Sequence, residues 1–412
     1  MVSLLQSKIN FEKTYFYLLV LFAFTIPLSR ATNSLFSALL ILLLLFQGNF
    51  KQHFEILKSS PLAKAIFAFI AFTVLSALWT QDLTEAMNFK KLYLQWFAIF
   101  AIALNVKPKQ IFPVVSAFLF GMLVSELLSY GMFFEFWTIK GHGKEYPTPF
   151  MMHIDYSVFL AFTALIVLNR ILSKRYSTQE KLLLLIFFFT VTGNLFINDG
   201  RTGQLAFLVG IFAAVFIHFK INIRSIAIAL LLISVLFAGA YQFSAKFQTR
   251  VHAAKSDIEK ITRGDLNSSW GYRVAMYYVA ADIFKENPLI GVGVGDYQSA
   301  AKEALDKDDH GFSDAFKEFL PKKHFHNQYV NVLVQGGLIG LLLMLAMFYQ
   351  LTRLSIANAE LKELSLLFSV MMLTAFVAEP LWLKQFTNML FILFSGLILG
   401  ASLHAKPVPD HA

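Results

Sequence analysis

The sequence contains no cysteine, which excludes disulfide bonds and thiol catalysis. Charged residues are also scarce: they make up 15% of the 412 residues, whereas soluble domains are about one quarter charged. Hydrophobic residues make up 57% of the chain, its mean hydropathy is +0.60, and phenylalanine alone occurs 45 times. We therefore expect an integral membrane protein.

Acidic residues are outnumbered by basic ones, and the net charge is +9. In membrane proteins lysine and arginine collect in cytoplasmic loops, so this excess predicts orientation and gives no reason to expect nucleic-acid binding. The positive charges fall in alternate connections between apolar segments, among them Lys58, Lys107, Arg175, Lys220 and Arg353. Together with Lys8 and Lys406 near the two ends, they predict that both termini are cytoplasmic.

Apolar runs of membrane-spanning length recur along the chain. They predict about twelve transmembrane helices, at residues 15–28, 32–47, 62–79, 89–106, 111–130, 153–170, 181–198, 202–219, 224–242, 326–350, 362–380 and 385–403. The expected fold is an all-α integral membrane protein in three regions. Residues 1–242 form helices 1–9, residues 243–325 form a large, partly helical loop that faces outward, and residues 326–412 form helices 10–12 and a cytoplasmic tail.

Two amphipathic segments in the long loop are predicted to be helical, because hydrophobic residues recur in each at helical spacing. The first segment has Phe247, Val251, Ala254, Ile258 and Ile261, and the second has Trp270, Val274, Tyr277, Ala281 and Phe284. Asn287-Pro288 ends the second helix. Stripes of this kind favour packing against the membrane domain over a ligand groove.

Ionisable residues within the predicted spans are scarce, and Glu126 and Glu379 stand out among them. Ion-coupled transporters need charged groups near the bilayer midplane. This scarcity therefore weighs against a pump.

Two arginines are candidates for binding an anion. Arg201 follows the turn Asn198-Asp199-Gly200 and opens a span whose positive N-terminal end faces outward, where an arginine adds a bidentate phosphate ligand. A snorkelling interfacial arginine explains the same residue equally well. Arg273 lies on the second amphipathic segment, where a solvated or headgroup-facing charge is the more common explanation.

Glycines cluster on both sides of the end of the long loop. Gly291, Gly293 and Gly295 lack the strand–turn–helix unit and the Lys-Ser/Thr pair of a nucleotide phosphate loop, so a tight backbone turn is the better interpretation. Gly337 and Gly340 allow another helix to approach closely.

His324 and His326 stand just before the tenth predicted span. Residues two apart point in different directions on a helix or a strand, and no third or fourth ligand follows at a plausible spacing, so a metal site is not expected. His326 is a candidate general base, because the positive end of the following helix disfavours protonation of an imidazole. A structural helix cap is the alternative, and these residues alone do not separate the two.

The pattern His326-Asn327, nine residues, Gly337, two residues, Gly340 resembles the signature of the O-antigen ligase family. That family belongs to a superfamily that also contains O-antigen polymerases and bacterial protein O-oligosaccharyltransferases. Arg201 and the stretch from Arg273 to Gly295, with its Asn-Pro-Leu-Ile-Gly-Val-Gly, add to the resemblance, which covers most of the chain in topology.

The resemblance implies a GT-C-like glycosyltransferase of the bacterial inner membrane with a periplasmic active site. Family members transfer a glycan from undecaprenyl pyrophosphate to the lipid A-core oligosaccharide without a metal ion or other cofactor. By resemblance, Arg201 and Arg273 would bind the pyrophosphate and His326 would act as general base on the acceptor hydroxyl. His324 and Asn327 are candidate acceptor contacts. Besides these substrates and the membrane lipids, no obligatory protein partner is implied.

Two alternatives to a ligase remain. An O-antigen polymerase uses the same lipid-linked donor, although the spacing from His326 to Gly340 favours the ligase. A lipid-linked glycan flippase or another transporter belongs to a different class. It would need a charged cavity open to both sides of the membrane, which the predicted spans do not supply.

Overall fold

The computed structural model describes residues 10–404, apart from the side chains at positions 89, 90 and 246. Within that range every regular element is a helix: α1 (Phe11–Thr25), α2 (Arg30–Gln47), α3 (Phe50–Lys58), α4 (Pro61–Leu75), α5 (Leu83–Leu94), α6 (Phe97–Asn105), α7 (Pro108–Phe133), α8 (His153–Leu172), α9 (Thr178–Ile197), α10 (Arg201–Phe219), α11 (Ile223–Phe243), α12 (Ala245–Thr262), α13 (Ser269–Glu286), α14 (Tyr297–Lys307), α15 (Asp314–Phe319), α16 (Gln328–Arg353), α17 (Ala359–Phe376) and α18 (Gln385–Leu403). Short 3₁₀ helices occur at Ser76–Leu78, Leu320–Lys322 and Leu381–Leu383. The predicted all-α fold is confirmed.

Nine helices in the described part of the chain are long and apolar enough to cross a membrane: α2, α4 with its 3₁₀ extension, α7, α8, α9, α10, α11, α16 and α18. The chain is therefore a multi-pass membrane protein. Helix α1 falls short at 15 residues. The total of about twelve spans and the three-region division remain predictions. The predicted cytoplasmic tail, with Lys406, and the N-terminal Lys8 lie outside the described residues.

The predicted span at residues 89–106 is two helices, α5 and α6, which separate at Gln95 and Trp96. The backbone N–H of Trp96 donates to the carbonyl of Tyr93, so the carbonyl of Leu92 is left without its helical partner. The side chain of Asn388 on α18 takes the place of that partner and donates to Leu92 O at 3.2 Å. The same side chain accepts a hydrogen bond from the indole N–H of Trp96 at 2.7 Å. A polar side chain inserted into the helical ladder accounts for the break.

Helices α8 and α18 form the centre of the bundle, with 83% and 89% of their spanning residues buried, against 17% in α2 and α11. Helix α8 packs on α9 and α10, and α18 packs on α6. Gly203 allows the start of α10 to lie against α8, since a Cβ there would meet the carbonyl oxygen of Ser157 at 2.1 Å. The Ser157 hydroxyl also accepts a hydrogen bond from the Gly203 N–H at 3.1 Å. This contact fixes the position of Arg201 beside the first turns of α8.

Helix α16 contains a break at Gly337, whose φ of 58° lies in the left-handed region. The segment between Asn287 and Gly295 docks into that break: Gly293 N–H donates to Gln335 O at 3.0 Å, and Leu338 N–H donates to Pro288 O at 2.9 Å. The backbone groups that the break exposes are therefore satisfied by the loop. This contact supports the interpretation of the Gly291–Gly295 segment as a backbone turn.

Helices α13, α14 and α15 form a second, smaller hydrophobic core, to which Val334 of α16 also contributes. Helix α13 buries Ala275, Met276, Val279, Ala280 and Ile283 in that core. The stripe predicted for this segment was placed one residue away: Trp270 and Tyr277 are 38% and 37% exposed. The prediction of this face is wrong because α13 packs on α12, α14 and α16 at once, and small side chains face these neighbouring helices.

The orientation of the bundle stays a prediction, and reporter fusions test it. Alkaline phosphatase folds only outside the cytoplasm, so a fusion after Asp306, in the long loop, should be active. A fusion after Arg175 should be inactive, because that connection carries the positive charge typical of a cytoplasmic loop. Phosphatase activity normalised to fusion protein level is the measurement, and the reverse pattern would contradict the assigned orientation.

Candidate active site

Four helices begin close together at one end of the bundle. Lys384, which precedes α18, lies 3.9 Å from Asp155 in the first turn of α8. The side chain of Gln328, the first residue of α16, accepts a hydrogen bond from the N–H of Trp382 at 3.0 Å. The start of α10 packs on α8 through Gly203. Because helix N-termini carry a partial positive charge, this end of the bundle favours an anion.

Glu379 contacts both histidines that precede α16. Its Oε2 lies 2.9 Å from Nδ1 of His326, and its Oε1 lies 3.3 Å from Nε2 of His324. The two imidazole rings meet edge to face, with centroids 4.5 Å apart. Only 1% of the Glu379 side chain is exposed, against 23% for His324 and 25% for His326. The carboxylate is therefore buried beneath two accessible imidazoles.

Lys384 balances the charge of this buried carboxylate, with Nζ 2.9 Å from Oε1 of Glu379. Burial by itself raises the pKa of Glu379, but the hydrogen bond from His326 and the positive charge of Lys384 outweigh burial and lower the pKa to about 2. Glu379 is therefore ionised at neutral pH and poorly suited to accept a proton from a substrate.

The contact with Glu379 determines which nitrogen of His326 is available. An ionised carboxylate only accepts hydrogen bonds, so Nδ1 carries a proton and donates it. In the neutral imidazole Nε2 then presents a lone pair, and no residue of the described chain forms a hydrogen bond with it. The backbone of His326 has a φ of 47°, which non-glycine residues adopt at a cost in strain. A neutral imidazole oriented by a carboxylate is the arrangement of a general base.

His324 supports this turn. Its Nδ1 accepts a hydrogen bond from the backbone N–H of His326 at 3.3 Å, so its own proton lies on Nε2 and faces Glu379. Burial lowers the pKa of His324 to about 4, despite the opposing effect of the nearby Glu379 carboxylate. His324 is therefore neutral at pH 7 and remains partly accessible to a ligand.

Asn327, the other candidate acceptor contact, has partners for both ends of its side chain. Its Oδ1 caps α16 by accepting from the N–H groups of Tyr329 and Val330 at 2.9 and 3.2 Å. Its Nδ2 donates to the hydroxyl of Tyr277 on α13 at 3.1 Å. Asn327 therefore fixes the start of α16 and ties it to the long loop.

Arg201 is the first residue of α10, and its Nη2 donates to the hydroxyl of Ser269 at 3.3 Å. The charged groups that act on it are Arg250, Arg273, Asp257 and Asp199. Three guanidinium groups thus share this part of the surface with two carboxylates. The excess of positive charge suits a polyanionic ligand such as a pyrophosphate.

His153 lies between the arginines and the histidines. Its backbone carbonyl is 2.6 Å from the position of a Cβ on Gly200, next to Arg201. The charges that act on its side chain come from both groups: Asp199, Lys384, Arg250 and Glu379. The structure therefore places the surroundings of Arg201 and those of His326 at the same end of the bundle, where charges from both act on His153.

The structure also brings His324, His326 and Glu379 together, with one potential metal-ligand atom from each within 4.8 Å of the others. The histidine nitrogens that face Glu379 both carry protons in the arrangement described above, and the Lys384 ammonium lies against the same carboxylate. A divalent cation would have to displace these protons and withstand the lysine charge. The donor set therefore fits a hydrogen-bonded ion cluster better than a metal centre.

Sequence patterns missed two members of this cluster. Asp155 lies inside the predicted span at residues 153–170, where it escaped notice beside Glu126 and Glu379. Lys384 directly precedes the predicted span at residues 385–403, where a basic residue is common. The available signal was the pair of opposite charges at the start of two otherwise apolar helices, where a lone charge is costly.

A search of curated proteins finds no match for the chain. Residues 182–345 match the model of the family described as O-Antigen ligase. The matched segment contains Arg201, Arg273, His324 and His326, and it ends before Glu379. The resemblance to the O-antigen ligase family is thereby confirmed over residues 182–345, the part of the chain that matches the family model.

Proposed function

We propose that the chain is an O-antigen ligase, which transfers a glycan from undecaprenyl pyrophosphate to the lipid A-core oligosaccharide at the periplasmic face of the inner membrane. Its family supports an O-antigen ligase or polymerase type of glycosyltransferase acting on lipid-linked glycans. The observation that carries the mechanism is the contact of His326 Nδ1 with Glu379, which leaves Nε2 ready to accept a proton.

The proposed reaction is a single displacement without a metal ion. Nε2 of His326 accepts the proton of the acceptor hydroxyl as its oxygen forms a bond to the anomeric carbon of the donor glycan. The bond from that carbon to the phosphate oxygen breaks, and undecaprenyl pyrophosphate leaves with the electron pair. The imidazolium formed on His326 is stabilised by the ionised Glu379, and the charge on the leaving group by Arg201 and Arg273.

The positions of three helix N-termini support a pyrophosphate site near Arg201. Helices α8 and α10 begin side by side at His153 and Arg201, and α18 begins beside Asp155. The partial positive charges at these three ends add to the guanidinium groups. In this proposal the pyrophosphate lies on the Arg201 side of His153 and the acceptor hydroxyl on the His326 side, with His324 as an acceptor contact.

Purified protein in lipid nanodiscs tests the function. With an undecaprenyl-pyrophosphate-linked glycan as donor, a ligase adds the glycan to lipid A-core, whereas a polymerase extends a second lipid-linked glycan instead. A deletion strain separates the two again: loss of a ligase leaves polymerised glycan on the carrier, and loss of a polymerase leaves lipopolysaccharide with a single repeat unit. Extension of the lipid-linked glycan without transfer to lipid A-core would replace the ligase assignment by a polymerase.

Replacing Glu379 with glutamine should lower the transfer rate about 10²-fold, at the lower end of what a general base contributes. The glutamine can no longer stabilise the imidazolium or fix the Nδ1 proton of His326. The measurement is the single-turnover rate at saturating donor, made well below the unfolding temperature because Lys384 also loses its partner. Glu318→Gln, which removes an exposed carboxylate of the long loop, is the matched control. A rate within threefold of wild type would remove Glu379 from the mechanism.

A further inference from the structure

A cavity of about 700 Å³ opens beside the candidate active site. It lies between the connection from α1 to α2 and the segment that precedes α8, and its lining includes Arg30, Lys140, His142 and His153. Its volume falls within the roughly 300–1,000 Å³ of typical ligand sites. Neither Arg201 nor Arg273 is part of this lining. The cavity is therefore a second basic surface, separate from the arginines assigned to the donor.

The positive charge of the cavity is only partly balanced by its surroundings, where the buried Asp155 is near enough for the charge of Arg30 to act on it. Its lining contains no aspartate or glutamate. Within residues 10–404, no carboxylate forms an ion pair with Arg30, and its guanidinium lies over the ring of Phe386, 5.5 Å from the centroid. Lys140 is held in a tight turn, closed by hydrogen bonds of 3.0 and 2.9 Å between the backbones of Ile139 and His142. The fold thus presents cations here that an anionic ligand would neutralise.

The lining of the cavity is connected to the Glu379–His326 cluster by a contact with the start of α18. The side chain of Gln385 donates to the backbone carbonyl of Arg30 at 3.1 Å. Gln385 directly follows Lys384, whose ammonium contacts Glu379 beneath His326. His153 also belongs to the lining, and the charges of Glu379 and Lys384 act on it. A ligand in the cavity would therefore lie beside residues that neighbour Lys384 and Glu379, the pair beneath the proposed base.

We propose that this cavity binds the acceptor, and that the acceptor is an anionic glycolipid with phosphate or carboxylate groups on the sugars near the accepting hydroxyl. The inference rests on the proposed function, in which Arg201 and Arg273 bind the donor pyrophosphate. Because those arginines serve the donor, Arg30 and Lys140 are available to a second anion. Complementary charge selects one acceptor over another more than it adds affinity, so this cavity determines specificity.

Kinetics with two acceptors test the proposal. Purified enzyme in nanodiscs of neutral lipid is given lipid A-core glycolipid, either phosphorylated or treated with phosphatase. Arg30→Gln and Lys140→Gln should each raise KM for the phosphorylated acceptor about tenfold, with kcat and the donor KM unchanged. Neither variant should change KM for the phosphatase-treated acceptor, since the interacting charge is already absent. Lys302→Gln, an exposed lysine outside the cavity, is the matched control.

Other results would overturn the proposal. An unchanged acceptor KM in both variants would exclude the cavity, and a raised donor KM would assign it to the carrier. Inhibition by phosphatidylglycerol that both variants relieve would identify a site for membrane headgroups instead. Equilibrium binding of the two glycolipids is measured alongside transfer. If wild-type protein binds the phosphorylated form more tightly and both variants abolish the difference while no glycan is transferred, the proposed function fails and the anionic site stands.

Discussion

Replacing His326 with alanine should slow glycan transfer about 10²–10⁴-fold, the range that a general base contributes. The harder part of the reaction is to make a sugar hydroxyl nucleophilic, since a pyrophosphate leaves readily. Because Nδ1 of His326 contacts the buried Glu379, the lone pair on Nε2 is the one available to the acceptor, and alanine removes it. The loss should persist at every pH, and the donor should bind almost normally. Single-turnover transfer and equilibrium donor binding by the purified variant measure the two effects.

His324→Ala is the matched control, because it removes an imidazole 4.5 Å away in the same turn. Its effect should be much smaller than that of His326→Ala, since the role proposed for His324 is to contact the acceptor without taking its proton. A His326→Ala variant that transfers within a few-fold of wild type would exclude it as the base. Glu379 would be a weak substitute as the base, because its pKa of about 2 makes it a poor proton acceptor.

Local patterns in the sequence predicted the elements of this fold better than their partners. Apolar runs predicted an all-α membrane protein, and helical spacing predicted α12 and α13 within the long loop. The break between α5 and α6 escaped prediction because its cause is Asn388, which lies 292 residues from Trp96. Hydropathy cannot detect a single amide that reaches into another helix.

The amphipathic stripe of α13 went wrong for a related reason. Large residues such as Trp270 and Tyr277 indicated the buried face, yet the helix buries Ala275, Ala280 and their neighbours. Close packing between short loop helices favours small side chains, and the large ones remain at the surface. The spacing of large hydrophobic residues therefore predicted the helix correctly, but it predicted the wrong face of that helix to be buried.

In the candidate site, too, the sequence indicates single residues but not which residues contact one another. His326 and Arg201 could be singled out by their places at helix starts, but each had an equally good structural explanation. Glu379 lies 53 residues from His326, and only the fold reveals that its carboxylate orients the ring. Gly337 was expected to admit a helix, whereas it admits the segment between Asn287 and Gly295, because the turn glycines and the helix break fit one another.

Replacing either Arg201 or Arg273 with alanine should strongly slow glycan transfer, because each variant binds the pyrophosphate of the donor less well. A charge-assisted hydrogen bond contributes roughly 1.5–3 kcal/mol, so the loss of one to a phosphate corresponds to about 10–10²-fold. Because negative charge on the bridging oxygen grows as the glycan leaves, kcat should fall as well as the donor KM rise. Lysine should rescue poorly at either position, since its ammonium cannot reproduce the planar fork of a guanidinium. Steady-state kinetics with varied lipid-linked donor measure these changes.

The surroundings of Arg201 distinguish a binding role from a structural one. The charges of Arg250 and Arg273 act on Arg201, so removal of one guanidinium relieves repulsion in the protein without donor. Arg201→Ala should therefore keep or raise the unfolding temperature while transfer is lost, and added donor should stabilise it less than wild type. Arg263→Ala, an exposed arginine at the end of α12, should leave both quantities unchanged. Full transfer by both alanine variants at normal protein levels would remove this pair from the donor site, and a lowered unfolding temperature in Arg201→Ala would make its role structural.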